Sequence, residues 1–256
     1  MKLLVTDLDR TLLREDKSIS EYTARVLGEC RARGIKIAFA TARPKNRVDL
    51  LPFAGLADAV VVSNGAAIYE QDERVAQFGI PAETAKQTTR TIQEAFPDLR
   101  LSCEYGDVTY HSSQFGDALW EGEIRFGLDK LPDLPAEKIV VRAGEREYPR
   151  IRALLPGGCY AQLCENRLVL IMHETATKIN AARWLAARYG IGMEHVLAFG
   201  DDVNDVELLR CCGVGVAVSN ALEEAKAAAD FVCGSNEEDG EAVWLERHIL
   251  WEERMP

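Results

Sequence analysis

The sequence predicts an α/β protein: a parallel-sheet core drawn from two stretches of chain, with an inserted α+β module between them. Short apolar runs alternate with helix-like segments from Met1 to about Gly79, and the alternation resumes after Thr175. Between residues 80 and 173 the texture changes to one polar helix and shorter strand-like pieces, punctuated by Pro132, Pro135, Pro149 and Pro156. The core is therefore assigned to residues 1–79 and 174–256 and the module to 80–173.

Leu3-Leu4-Val5 reads as a buried parallel strand, and Asp7 and Asp9 after it fall where open α/β sheets bind ligands. The next helix is expected to open on a capping box, Ser18-x-x-Glu21, with Ser20 as the alternative cap. Val26, Leu27 and Cys30 form its apolar stripe and Gly34 closes it. Ile35 to Ala40 is a second strand ending at Thr41-Ala42-Arg43, and Pro44 suits the start of another helix. Ala59 to Val62 runs into Ser63-Asn64-Gly65, a reverse-turn signal before Ile68-Tyr69. In the module, Glu83 to Phe96 reads as helix. Leu101-Ser102-Cys103, Val108-Thr109-Tyr110 and Ile139-Val140-Val141 read as strands, and Tyr160 to Leu163 with Leu168 to Ile171 as a hairpin.

Thr177 caps a helix running to Tyr189, with Ile179, Ala182, Leu185 and Tyr189 inward. The strand Val196 to Phe199, a helix through Leu208-Leu209, the strand Val214 to Val218, a helix through Ala221 to Ala228 and Phe231-Val232 complete the sheet. The tail from Glu237 to Glu253 reads as an acidic, solvated helix, and Trp184, Trp244 and Trp251 as packing residues.

The composition, 47% hydrophobic and 28% charged over 256 residues, is that of an ordinary globular protein. No apolar run approaches the ~20 residues that span a bilayer, and Met1-Lys2 leads into a strand without a signal-peptide pattern. The net charge of −11 argues against nucleic acid and anionic membrane as partners. Seven cysteines, an odd count, argue against a disulfide framework and for a reducing, cytoplasmic compartment. Oligomeric state is not legible.

Asp7 and Asp9, two apart in extended chain, point to one side and can address one substrate. Two anions so close repel unless a cation or proton intervenes. Thr41 offers a hydroxyl and a loop amide to an anionic oxygen, or caps a turn. Lys178, in the first turn of its helix, opposes the macrodipole by roughly a few tenths of a kcal/mol. A phosphate dianion there explains the placement; a solvated surface lysine tolerates it. In Gly200-Asp201-Asp202-Val203-Asn204-Asp205, Gly200 permits a sharp turn and Asp201 suits a hard cation such as Mg²⁺. Asn204 and Asp205 lie close enough to orient Asp201, the metal waters or Lys178. An acidic surface loop is the plainer alternative.

In this order, Asp7-x-Asp9-x-Thr11, Thr41, Lys178 and the Gly200–Asp205 cluster resemble the haloacid dehalogenase-like hydrolase superfamily. The chain is most similar to its Cof-type sugar-phosphatase branch, which carries a large α/β cap between the second and third motifs. Ser63-Asn64-Gly65-Ala66 and Gly215 to Ala221 extend the resemblance over the whole chain. It implies a Rossmann-like core with residues 80–173 as the cap domain. It implies Asp7 as the nucleophile that becomes an aspartyl-phosphate, and Asp9 as the acid that protonates the leaving alkoxide and then activates water. It further implies Mg²⁺ on Asp7, Asp201 and the main-chain carbonyl of Asp9. The Leu8 amide, Thr41, Ala42, Lys178 and Asn204 would hold the phosphoryl oxygens, with Asp202 and Asp205 behind them. A carboxylate attacking a phosphate dianion needs the cation and Lys178 to offset repulsion. Asp9 must be protonated first, so its surroundings are expected to raise its pKa.

Arg10, Ala42 and Ile179 stand where relatives often carry Gly, and Arg10 and Arg43 are candidates to contact substrate. The expected activity is Mg²⁺-dependent hydrolysis of a small phosphorylated metabolite, a sugar phosphate or similar monoester. A sugar phosphomutase on the same core and a non-catalytic phosphate-binding protein are the alternatives. His111, His173, His195 and His248 match no zinc spacing.

Overall fold

In the computed structural model, which describes residues 1–112, 123–164 and 166–251, the first stretch of chain forms β1 (Leu3–Thr6), α1 (Glu21–Ala32), β2 (Lys36–Ala40), α2 (Lys45–Asp49), β3 (Ala59–Val62), β4 (Ala67–Glu70) and β5 (Glu73–Gln77). Next come α3 (Ala82–Ala95), β6 (Leu101–Tyr105), β7 (Val108–His111), β8 (Glu123–Phe126), β9 (Lys138–Val141), α4 (Tyr148–Ala153), β10 (Cys159–Cys164) and β11 (Leu168–His173). The remainder forms α5 (Lys178–Arg188), β12 (Val196–Gly200), α6 (Val206–Cys211), β13 (Val214–Ala217), α7 (Glu223–Ala228), β14 (Phe231–Val232) and α8 (Gly240–Leu245).

The larger sheet has the order β14-β13-β12-β1-β2-β3-β4-β5 and the smaller one β10-β11-β9-β6-β7-β8. The larger is parallel from β14 to β3 and closes with the antiparallel strands β4 and β5. In the smaller sheet β10 and β11 form the expected hairpin. Buried apolar layers cover both faces of the larger sheet. Val26, Leu27 and Cys30 of α1 pack with α8 on one face, and Ile179, Ala182 and Leu185 of α5 pack with α6 and α7 on the other. The smaller sheet has its own core around Ile92, Ile139, Val169 and Ile171.

This layering places the chemistry. Thr6 of the central β1 is level with Phe199 of β12 and Phe39 of β2. Asp7, Asp201 and Thr41 therefore emerge together past the carboxyl ends of three adjacent parallel strands, where such sheets bind ligands.

Several local expectations are corrected. Ser20, not Ser18, caps α1, accepting from the Thr23 amide at 2.9 Å; Glu21 is then the first helical residue, too early to close a box on Ser18. The acidic tail is not merely a solvated face, because Asn236, Glu241, Trp244 and Leu245 are buried and α8 packs on the core. Its apolar stripe outweighs its charge count. Trp251 is exposed, whereas Trp184 is half-buried and Trp244 buried. Glu252 and Glu253 lie outside the described residues. The polar edge strand β5 and the short α4 went unread; Pro149 sits in the first turn of α4, where a missing N–H is tolerated. Among the described residues no helix is long and apolar enough to cross a membrane.

Candidate active site

Lys178 lies at the floor of the site. Thr177 caps α5 by accepting from the Asn180 amide, which fixes the first turn and aims the lysine inward. Its ammonium, fully buried, donates to Asp7 Oδ1 at 2.6 Å and Asp205 Oδ1 at 2.7 Å. Burial opposes the charge, but the Asp205 and Asp7 carboxylates outweigh it and hold the ammonium above its usual range. A solvated surface lysine is excluded.

Asp7, Asp201 and Asp205 are all buried, and their carboxylate oxygens lie within 4.8 Å of one another. Burial pushes Asp7 up to about 8 against the pull of Lys178. It pushes Asp201 up to about 6, against the hydrogen bond from Thr11 Oγ1 at 2.9 Å. Three buried carboxylates around one ammonium leave negative charge uncompensated, and hard oxygen donors at this spacing suit a small divalent cation. Asp205 is a poor ligand despite its place in the cluster. Its Oδ1 is held by Lys178 and its Oδ2 accepts from the Asp201 and Asp202 amides at 3.1 and 3.2 Å. Asp7 and Asp201 are the side chains with oxygens to offer.

Gly200 serves differently from the sharp turn expected of it: a Cβ there would fall onto the Cβ and carboxyl of Asp205. The missing side chain makes room for the buried acid. Asp202 is exposed and caps the turn Val203–Asp205, accepting from the Val203 amide at 2.7 Å.

Asp9 departs from expectation. Although burial would raise it, the Arg43 guanidinium forks its carboxylate at 2.6 and 2.7 Å and Lys17 donates at 2.8 Å, which together hold its pKa below the usual carboxylate range. The expected raised pKa is therefore corrected. The cause is two cations, Lys17 from farther along the same loop and Arg43 from the loop after β2. Thr41 is buried, and its Oγ1 accepts from the Arg43 amide at 3.1 Å, so it also closes a turn. Ala42 is exposed and its carbonyl accepts from Lys138 Nζ of β9 at 3.1 Å. Leu8 buries its side chain in the core beneath its own amide. Asn204 donates from Nδ2 to Asn64 Oδ1 at 2.8 Å, while its own Oδ1 is buried without a hydrogen bond.

Arg10 has φ 65° and lies 3.9 Å from Asp201 Oδ2, with Nη2 donating to the Asn220 carbonyl at 3.3 Å. Asn220 Nδ2 in turn donates to the Arg10 carbonyl at 2.7 Å. Arg142 lines a separate hollow with Glu147 and Asn166. Beside the floor, a cleft of about 360 Å³ opens between Asn64, Lys178 and Asn204 on one side and Tyr160 and Gln162 of β10 on the other.

Residues missed at the sequence level include Lys17, Asn64, Lys138 and Glu241. Glu241 Oε2 lies 2.6 Å from Thr6 Oγ1, directly behind the loop that starts at Asp7. The apolar stripe Ala242, Trp244 and Leu245 beside it is the signal that could have marked its helix as buried.

The 5-amino-6-(5-phospho-D-ribitylamino)uracil phosphatase YitU of Bacillus subtilis (strain 168) is 27% identical over 264 residues, covering 96% of this chain and 97% of that protein. A phosphoglycolate phosphatase of Methanopyrus kandleri is 28% identical, with 96% of each chain covered. Two solved structures share the fold. One, from Eubacterium rectale, has TM-score 0.88 at 22% identity, covering 97% of this chain and 99% of that one. The other, a sugar phosphatase of HAD subclass IIB, has TM-score 0.82 at 24% identity, covering 96% and 98%. The sequence profile of the haloacid dehalogenase-like hydrolases matches residues 4–245, nearly the full length, and the chain belongs to that family.

Proposed function

We propose that this phosphomonoester hydrolase cleaves a small phosphorylated metabolite, a sugar phosphate or similar monoester, through an aspartyl-phosphate on Asp7. The observation that carries the reading is the buried Lys178 ammonium held 2.6 Å from Asp7 Oδ1 and braced by Asp205. Asp7 attacks phosphorus, the bond to the leaving oxygen breaks, and that alkoxide takes a proton from Asp9. Asp9 then accepts a proton from the water that attacks the phosphorylated Asp7, releasing inorganic phosphate and restoring the carboxylate. Lys178, the Leu8 and Ala42 amides, the Thr41 hydroxyl and Asn204 hold the phosphoryl oxygens, and Asp205 orients Lys178.

Asp7, Asp201 and the Asp9 carbonyl would hold Mg²⁺, with Asp202 and Asp205 supporting the loop. When bound, the ion supplies charge that offsets repulsion between the attacking carboxylate and the phosphate dianion. Asp9 can take up a proton only once Arg43 leaves its carboxylate, and an anionic substrate that draws Arg43 away supplies that release. Residues 80–173 act as a cap over the core of 1–79 and 174–256, supported by Lys138 reaching the Ala42 carbonyl and Glu137 accepting from Ser63 Oγ at 3.1 Å. The odd cysteine count supports a cytoplasmic location.

The test is phosphate release from p-nitrophenyl phosphate and a panel of sugar phosphates. Asp7→Asn is expected to lose at least about 10³-fold in kcat. Full activity in that variant removes Asp7 as nucleophile, and isomerised sugar phosphate without free phosphate replaces hydrolysis by a mutase reaction.

A further inference from the structure

The protein carries a net charge of −11, yet the open side of its catalytic carboxylates is ringed by cations. Arg10, Lys17 and Arg43 have side chains 59%, 49% and 20% exposed, against 8% for Asp7 beneath them. Displacement at phosphorus runs with attacking and leaving oxygens roughly in line. With Asp7 on the floor, the leaving group must project outward, among these three side chains. Arg43 and Lys17 are both paired with Asp9. Arg10 is different: its contact with Asp201 is loose at 3.9 Å, and its side chain is the most exposed of the three.

The backbone of Arg10 adds a second, independent observation. Its φ of 65° lies in the left-handed region, which costs an arginine and does not cost a glycine. The conformation is clasped by Asn220 from both sides, on carbonyl and guanidinium, and Asn220 Oδ1 is itself fixed by the Asn236 amide at 3.1 Å. A strained residue held in place by its surroundings points to use of its side chain.

We infer that the substrate carries a second anionic group on its leaving side and that Arg10 recognises it. The inference rests on the phosphatase reading and narrows its substrate class. A planar guanidinium with donors facing solvent suits a carboxylate or a second phosphate in bidentate contact, and the same anion competes with Asp9 for Arg43.

The experiment compares kcat/KM for three esters of similar size: ethyl phosphate, carboxymethyl phosphate and ethane-1,2-diyl bisphosphate. The protein as it stands is expected to favour at least one of the anionic esters over ethyl phosphate by about tenfold or more, and the favoured one identifies the group. In Arg10→Gly that preference is expected to collapse toward unity, chiefly through KM. Glycine takes this backbone without strain, so the variant retains the fold. Lys36→Ala, which removes a cation at the remote end of β2, keeps the preference and controls for overall charge. A wild-type preference near unity, or one that Arg10→Gly leaves intact, overturns the inference. Failure of the wild-type protein to release phosphate from any ester overturns the hydrolase reading instead.

Discussion

Thr6 has one hydroxyl proton and two acceptors within reach, the Asp7 carbonyl at 2.9 Å and Glu241 Oε2 at 2.6 Å. A protonated Glu241 resolves the conflict by donating to Thr6 Oγ1, which frees the threonine proton for the carbonyl. Burial, the largest influence on Glu241, pushes it to about 8 from 4.5, opposed by the Thr6 hydrogen bond and reinforced by the Asp7 charge. The sign of its effect follows from linkage. Between pH 4.5 and about 8 the folded state keeps a proton that the unfolded chain releases, so this group's contribution to stability falls as pH rises through that window. Glu241→Gln, neutral throughout, is expected to give a shallower loss of urea stability between pH 5.5 and 8 than the parent. Identical slopes would mean that Glu241 is already ionised in the fold. Arg10 is a local expense of the opposite kind, a left-handed backbone costing about 1 kcal/mol for a residue with a side chain.

The helix α5 does two jobs with one terminus. Its inner face of Ile179, Ala182 and Leu185 is buried against the sheet, and its cap at Thr177 sets the direction of Lys178. Thr177→Ala removes the side-chain acceptor for the Asn180 amide and is expected to cost about 1 kcal/mol in chemical denaturation. Because the first turn loosens where the ammonium is anchored, kcat is expected to fall by more than a stability loss of that size explains while the protein stays folded. An unchanged kcat would show that the Asp7 and Asp205 contacts alone hold Lys178. The strand β9 shows the same economy. Lys138 pairs with the buried Glu104 at 3.2 Å and reaches the Ala42 carbonyl, tying the smaller sheet to the loop after β2.

Across the whole molecule, the groups legible in the sequence are those whose position follows from an element's end. Asp7, Thr41 and Asp201 follow apolar strands and Lys178 opens a helix, so pattern put each at an element's end, and the family resemblance joined them into one site. The pairing of Asp9 with Arg43 and Lys17 was not legible, because it depends on where long side chains swing between loops. Nor was Glu241, whose partner Thr6 is 235 positions away and whose acidic surroundings suggested solvent. The clustered acids also make a statement about the protein as a whole. If Mg²⁺ fills the gap between Asp7 and Asp201, adding it at about 100 times its Kd is expected to stabilise the fold by about 2.7 kcal/mol. Thermal unfolding with Mg²⁺ and with EDTA measures this, and EDTA is expected to abolish phosphate release. A melting midpoint indifferent to the ion would leave the acids to Lys178 alone.

The two segments that join the sheets run side by side. The Phe78 amide donates to Ala66, Thr175 Oγ1 lies 3.5 Å from the Phe78 carbonyl, and two residues later the chain reaches the cap of α5. Gly65 presses so closely on Thr177 that no side chain fits between them. The attachment of the smaller sheet thereby lies directly against the first turn of α5 and the Lys178 ammonium beneath Asp7. Grafting a foreign insert onto this scaffold would preserve the chemistry only if that stitched seam were carried across intact.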